Sequence, residues 1–160
     1  MTTDRALNAV VWFPWVILVL GLPVILWWLF EPNPLTIRYV APYFVDRPVE
    51  TRDEAEMHPV FAVAGGQQLY RYIEYCVSRP FTATAKRSWV NSAMVWHAPD
   101  VPTQLSRTAG CRSANVVVEV PTSNPSRTFM FVQKMEVDVN PIRRDEVIEY
   151  PPIPLTILSR

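Results

Sequence analysis

Glycine is scarce in this chain, four residues in 160, whereas proline occurs 16 times; ordinary shares are about 7% and 5%. Four glycines leave no phosphate-cradling loop, and the Gly-x-Ser-x-Gly elbow that exposes a hydrolase nucleophile is absent. An excess of charge of one sign is lacking too, since 15 basic side chains face 15 acidic ones. That balance supplies no field to hold a polyanion, so nucleic acid is not an expected partner. Histidine occurs only as His58 and His97, and neither has a second histidine one helical turn away or a Cys-x-x-Cys pair. Both read as surface residues, and no metal or cofactor is expected. The carboxylate pairs Glu54 with Glu56 and Asp145 with Glu146 are ordinary loop composition. These gaps together point to a chain that is not an enzyme.

The prolines that are present forbid long helices over most of the sequence, because each removes a backbone donor and clashes inside a helix. One stretch escapes that rule. Residues 6–30 carry no charge, and 10–30, "VVWFPWVILVLGLPVILWWLF", are almost wholly apolar. Twenty-one residues at ~1.5 Å each give about 31 Å, close to the ~30 Å hydrocarbon core of a bilayer. Trp12 and Trp15 lie near one end and Trp27 and Trp28 near the other, where indoles settle at membrane interfaces. A cleaved export signal would have a shorter apolar stretch, ~7–15 residues, and a small-x-small site after it; Glu31-Pro32-Asn33-Pro34 offers none. The expected organisation is a short cytoplasmic N-terminus (1–9), a transmembrane anchor helix (10–30), a proline-rich exit (31–34) and an extracytoplasmic domain (35–160). Pro23 should bend the helix near Val19 and Leu20. No ionisable side chain lies in the span, so it anchors rather than transports. Arg5 precedes it and Glu31 follows it, and the positive-inside bias sets the N-terminus in the cytoplasm.

Cys76 and Cys111 are the only cysteines, and both follow the anchor. Two cysteines in an exported domain most simply form one disulfide, with Trp89 a candidate to pack against it. Six Trp, six Tyr and seven Phe supply apolar area for a core. Strand patterning appears at 35–40, 68–77, 81–90, 94–96, 115–120, 128–139, 146–150 and 153–158, bounded by proline, asparagine and serine turns. Short strands at that spacing predict a mainly β chain: an immunoglobulin-like β-sandwich, with a small barrel as the alternative. Residues 99–110 read as a long loop and 48–59, "PVETRDEAEMHP", as a solvated acidic insertion. In "LYRYIEY", Leu69, Arg71, Ile73 and Tyr75 share one face, which is the core face if Leu69 and Ile73 are buried. Tyr70, Tyr72 and Glu74 fall on the other, a candidate interaction face because tyrosine is enriched at interfaces.

The stretches "KRSWVNSAMVWHAPD", "AGCRSANVVVEVP" and "FMFVQKMEVDVNPIRR", with the last strand "IPLTIL", resemble a pattern found in small membrane-anchored proteins of tailed bacteriophages. The matched elements are Trp89, Val90, Asn91, Gly110-Cys111, Pro121, Asn140-Pro141 and Arg143, within residues 86–158. The resemblance implies a phage-like origin, insertion in the bacterial inner membrane and a periplasmic immunoglobulin-like domain. It implies no activity. The role expected is an envelope interaction protein acting by protein–protein contact, in host envelope modification, superinfection exclusion or as a lysis accessory; the alternative is a membrane-associated subunit of a virion or secretion-type complex. The partners expected are the lipid bilayer, an envelope or phage protein, and a second copy of the chain.

Overall fold

A computed structural model describes the backbone of residues 3–99, 101–105, 109–123, 125–140 and 146–159, with side chains for all of these except 3–14 and 101–105. Pro141, Arg143 and Asp145 lie outside the described residues, as does the side chain of Trp12.

Helix α1 (Thr3–Phe30) starts at Thr3, not at Val10 where the apolar run begins, and continues unbroken through Pro23. Its side chains at 15–30 are exposed all round apart from the half-buried Gly21, reaching 80% at Phe30. Among the described residues no helix is long and apolar enough to cross a membrane, α1 being described in its side chains only from Trp15 onward.

The rest is mainly β. In chain order it comprises β1 (Leu35–Val40), β2 (Phe44–Val45), the short α2 (Arg52–Met57), β3 (Pro59–Val60), β4 (Ala62–Ala64) and β5 (Gln68–Val77). Then follow β6 (Phe81–Val90), β7 (Val95–His97), β8 (Val101–Leu105), β9 (Gly110–Glu119), β10 (Arg127–Val137), β11 (Glu146–Glu149) and β12 (Ile153–Leu158). In one sheet β5 is central. β9 pairs with its full length, while β1 and β2 lie end to end along the opposite edge and β3 lies beyond β2. In the other, β10 pairs with β6 on one side and with β12 and β11, end to end, on the other. β4 joins β12 in parallel, and β7 and β8 line the far edge of β6. Residues 99–110 were expected as a loop; they contain β8, whose proline is tolerated because the strand pairs only with β6.

The two sheets pack as a sandwich with two apolar clusters. One gathers Phe44, Leu69, Trp89, Phe129 and Phe131, the other Leu35, Ile73, Val77, Phe81 and Val137. Trp89 anchors the first: its ring centroid is 5.7 Å from that of Phe44 and 4.9 Å from that of Phe131, and its Nε1 donates to the Glu119 carbonyl across the gap, 3.2 Å. The Cys76–Cys111 disulfide is present and joins directly opposed residues of β5 and β9. Trp89 does not pack against it. The turn at 78–80 puts Cys76 beside the start of β6, whereas Trp89 stands near that strand's end.

Between the clusters runs a polar level. Arg71 is fully buried; its Nε donates to the Ala41 carbonyl (3.2 Å) and its Nη2 to that of Pro151 (2.8 Å), with the guanidinium 5.4 Å from the Tyr150 ring centre. Ala41 separates β1 from β2 and Pro151 separates β11 from β12, so one side chain ties the breaks in both sheets. Burial pushes this guanidinium down to about 10.

The exit from α1 is clamped to the sandwich. Asn140 Nδ2 donates to the Trp28 carbonyl (2.8 Å), left without an intrahelical partner at the helix end, and to Glu31 (2.9 Å). Arg79 pairs with Glu31 at 2.6 Å and also donates to the Val139 carbonyl, 2.9 Å. The 31–34 segment is thereby fixed at both ends, since Asn33 Oδ1 accepts from Leu35 N and the Pro34 carbonyl from Ser78 N.

Candidate interaction face

Alternation along β5 sends Leu69, Arg71, Ile73 and Tyr75 inward and Tyr70, Tyr72, Glu74 and Cys76 to the outer face. That outer face is not bare. Residues 41–58 fold back over it, so that Ala41, Val45, Val49 and Ala55 cluster on Tyr72, which is only 3% exposed. The stretch expected as a solvated insertion is therefore a roof. Its helix starts by a local exchange: Thr51 Oγ1 accepts from Glu54 N (3.3 Å), while Glu54 Oε2 accepts from Glu50 N (3.0 Å). Asn115 on β9 holds the other margin, its amide donating to the Val49 carbonyl (2.8 Å) and accepting from Val49 N (3.1 Å).

What stays accessible is a rim of half-buried tyrosines and Glu74, with the exposed Arg52 beside them. Tyr70 and Glu74 belong to it. Sequence reasoning missed its other members, Tyr39, Tyr43 and Arg52, which come from β1, the β1–β2 connection and α2. The Tyr39 and Tyr43 hydroxyls are 3.4 Å apart, the Tyr39 ring lies 6.3 Å from that of Tyr72, and Arg52 stacks 4.2 Å above Tyr39 while pairing with Glu56 at 2.8 Å. Tyr72 donates to Glu74 Oε1, 3.1 Å. The only advance sign of this gathering was the pair of tyrosines in "IRYVAPYF". His58 lies at the end of the roof, 2.8 Å from Arg47.

Burial, followed by the hydrogen bond with Tyr39, pushes the Tyr43 phenol well above its ordinary value. Burial also raises Tyr72, and it raises Tyr150 to about 12. Unfolded tyrosines ionise near ~10, so the unfolded chain releases protons first and stability falls as pH rises from there through the folded values. Arg71 acts with the opposite sign, relieving its burial cost as pH rises above about 10, and Arg87, also lowered by burial, acts in the same sense. Three phenols against two guanidiniums leave a net loss. Urea midpoints should drop between about pH 9 and about pH 11, with phenolate absorbance lagging that of the unfolded chain.

On the outer face of the second sheet, Ser88 Oγ and His97 Nδ1 are 2.9 Å apart as opposed residues of β6 and β7. Among the described residues no carboxylate is hydrogen-bonded to that imidazole to complete a triad, and no group of three or more His, Cys, Asp or Glu side chains is placed to hold a metal ion. Of the tryptophans expected at membrane interfaces, Trp15 and Trp27 project from α1 well exposed, and Trp28 less so.

No protein-family model matches the chain, and no curated protein matches it. Among solved structures the chain is similar to a Niemann-Pick type C2 protein from Japanese carpenter ant. The likeness has a TM-score of 0.45 at 9% identity and covers 79% of this chain and 94% of that one.

Proposed function

We propose that the chain is a bitopic bacterial envelope protein, phage-like in origin, that presents an immunoglobulin-like sandwich on the periplasmic side and acts by protein–protein contact rather than catalysis. The observation that carries this reading is an apolar helix whose side chains along 15–30 stand exposed, clamped at its end to a disulfide-bearing sandwich. A soluble chain rarely leaves so large a contiguous apolar surface open. A bilayer covers it without a dedicated partner, with Trp12 and Trp15 at one interface and Trp27 and Trp28 at the other. The disulfide suits an oxidising compartment, which agrees with a cytoplasmic N-terminus. The rim of Tyr39, Tyr43, Tyr70 and Glu74 is the surface offered to an envelope or phage protein. Tyr72 supports it from below.

Expressed in bacteria, the full chain should remain with membranes through high-salt and urea washes and leave only with detergent. Release by salt alone would contradict the span. Capture in mild detergent should recover an envelope partner that Tyr43→Ala with Tyr70→Ala loses, while the melting temperature stays near that of the parent. Retention of the partner by that variant would remove the rim from the account.

A further inference from the structure

A strand at the edge of a sheet offers N–H and C=O groups that template a further strand, and natural sheets blunt such edges with short strands, proline, charge or a bulge. Among the described residues every edge of this sandwich but one is blunted. β3, β4 and β7 run two or three residues, β8 holds Pro102, and β12 holds Pro154 where β4 does not reach. β11 is four residues with a glutamate at each end, and β1 shifts register between Ile37 and Tyr39. β9 is the exception. It pairs with β5 alone, over ten residues without a shift. Its one inward charge, Arg112, stands near the α1 end, and from Ser113 to Val118, "SANVVV", it carries no charge, proline or glycine.

Val120 N donates to the Gln67 carbonyl, 3.0 Å, so even-numbered residues of β9 bond to β5 and odd-numbered ones turn N–H and C=O outward. Two outward carbonyls are taken by the other sheet: Arg87 Nη1 donates to Val117 (2.8 Å) and Trp89 Nε1 to Glu119 (3.2 Å). Ser113 and Asn115 keep both groups open and Val117 keeps its N–H, since among the described residues only β5 pairs with β9. Water hydrates this edge in the free chain; spacing selects its occupant. The open groups repeat every two residues, about 7 Å, a pattern matched by another extended backbone. Beside Val117 and Glu119 a groove of about 230 Å³ opens, walled by Trp96, Pro99 and Phe131 with Arg87 at its margin. It suits one large apolar side chain of an added strand, in which backbone bonds give affinity and a pocket gives selectivity. We propose that β9 receives an extended segment of a partner protein as a further strand of the first sheet, paired along 113–117 and anchored by an apolar side chain in that groove. A second copy of the chain is the poorer occupant. Antiparallel pairing of two β9 edges reverses one of them, and Gly110 lies opposite Val77, itself opposite Leu35 at the exit from α1, so the two anchors would leave opposite ends of the joined sheet. Parallel pairing gives the weaker ladder. That choice of occupant rests on the membrane reading; the open edge does not.

The full chain in detergent is titrated, by fluorescence polarisation, with synthetic octapeptides that alternate valine and threonine and carry leucine, phenylalanine or tryptophan at each valine position in turn. Binding should be saturable and strongest with the large side chain at one position. N-methylation of alternate peptide amides should cost about tenfold or more, and of the intervening amides less than about twofold. Ser113→Pro removes an N–H that makes no bond to β5, a place where an edge strand tolerates proline. It should keep the parent's circular dichroism and melting temperature while losing about tenfold or more in peptide affinity. The N-methyl pattern is read on the parent chain, so it decides the matter even where the proline unsettles the strand. Ala98→Trp fills the groove and should abolish the preference for large side chains. Tyr43→Ala with Tyr70→Ala strips the rim and should leave peptide binding unchanged, which separates failure of the rim from failure of the edge. Absence of saturable binding across the set, N-methyl losses without the two-residue period, or undiminished affinity in folded Ser113→Pro would overturn the proposal. A parent that is dimeric where Ser113→Pro is monomeric would overturn it too, by giving the edge to a second copy.

Discussion

Trp89→Ala should destabilise the sandwich by about 3–5 kcal/mol, the largest effect of any single substitution in it. Trp89 is fully buried and makes ring contacts with Phe44 from one sheet and Phe131 from the other. Truncation removes that contact area and leaves a cavity the rigid sheets cannot close. It also strips the Glu119 carbonyl of its indole donor. Trp89→Phe keeps most of the ring volume and loses the hydrogen bond, so it should cost less, about 1–2 kcal/mol. Urea unfolding followed by circular dichroism measures both. Against a total stability of ~5–15 kcal/mol, the alanine variant should be partly unfolded at growth temperature. A loss under about 1 kcal/mol would mean that the sheets are not held together at this point.

Removing the disulfide by Cys76→Ala with Cys111→Ala should cost about 2–4 kcal/mol. The bridge closes a sequence separation of 35 residues, which gives up to about 4 kcal/mol in the chain-entropy model. The native ladder between β5 and β9 pairs ten residues on each strand, so the fold should survive with a lower midpoint rather than collapse. Reducing the parent protein should move its midpoint by the same amount, whereas the double variant should not respond to reductant. A parent protein indifferent to reductant would show that the bond does not form in solution.

The sequence showed the strands better than it showed what covers them. The expected bounds of β5, β6 and β12 coincide with the structure, because Gly65-Gly66, Pro80 and Pro151-Pro152 punctuate runs of clear alternation. The Leu69 and Ile73 core face was legible for the same reason. The roof was not, because within 48–59 only Val49 and Ala55 are buried, too few apolar positions in an acidic stretch to leave a periodic trace. Arg71 and Gln133 were opaque in a different way. Each occupies an inward position of a strand with a polar side chain; alternation puts Arg71 on the Leu69 face but does not say that a polar group stays buried there. The pairing of Cys76 with Cys111 needed only counting, but its location did not follow from the count. Opposite register within one sheet puts the bridge at the far end of β6 from Trp89. The helix end was also hidden, since nothing in Asn140 announces a contact with Trp28 across more than a hundred residues.

The account rests on a sandwich held outside the cytoplasm by α1, and labelling of the two cysteines in intact cells tests it most directly. Cys111 is exposed and Cys76 half-buried, so reduction would leave a reachable thiol. With the outer membrane permeabilised and the inner membrane sealed, a membrane-impermeant maleimide should give no label before reductant and full label after it. Label acquired without reductant, and only once the inner membrane is broken, would place the sandwich in the cytoplasm with free thiols and contradict the account.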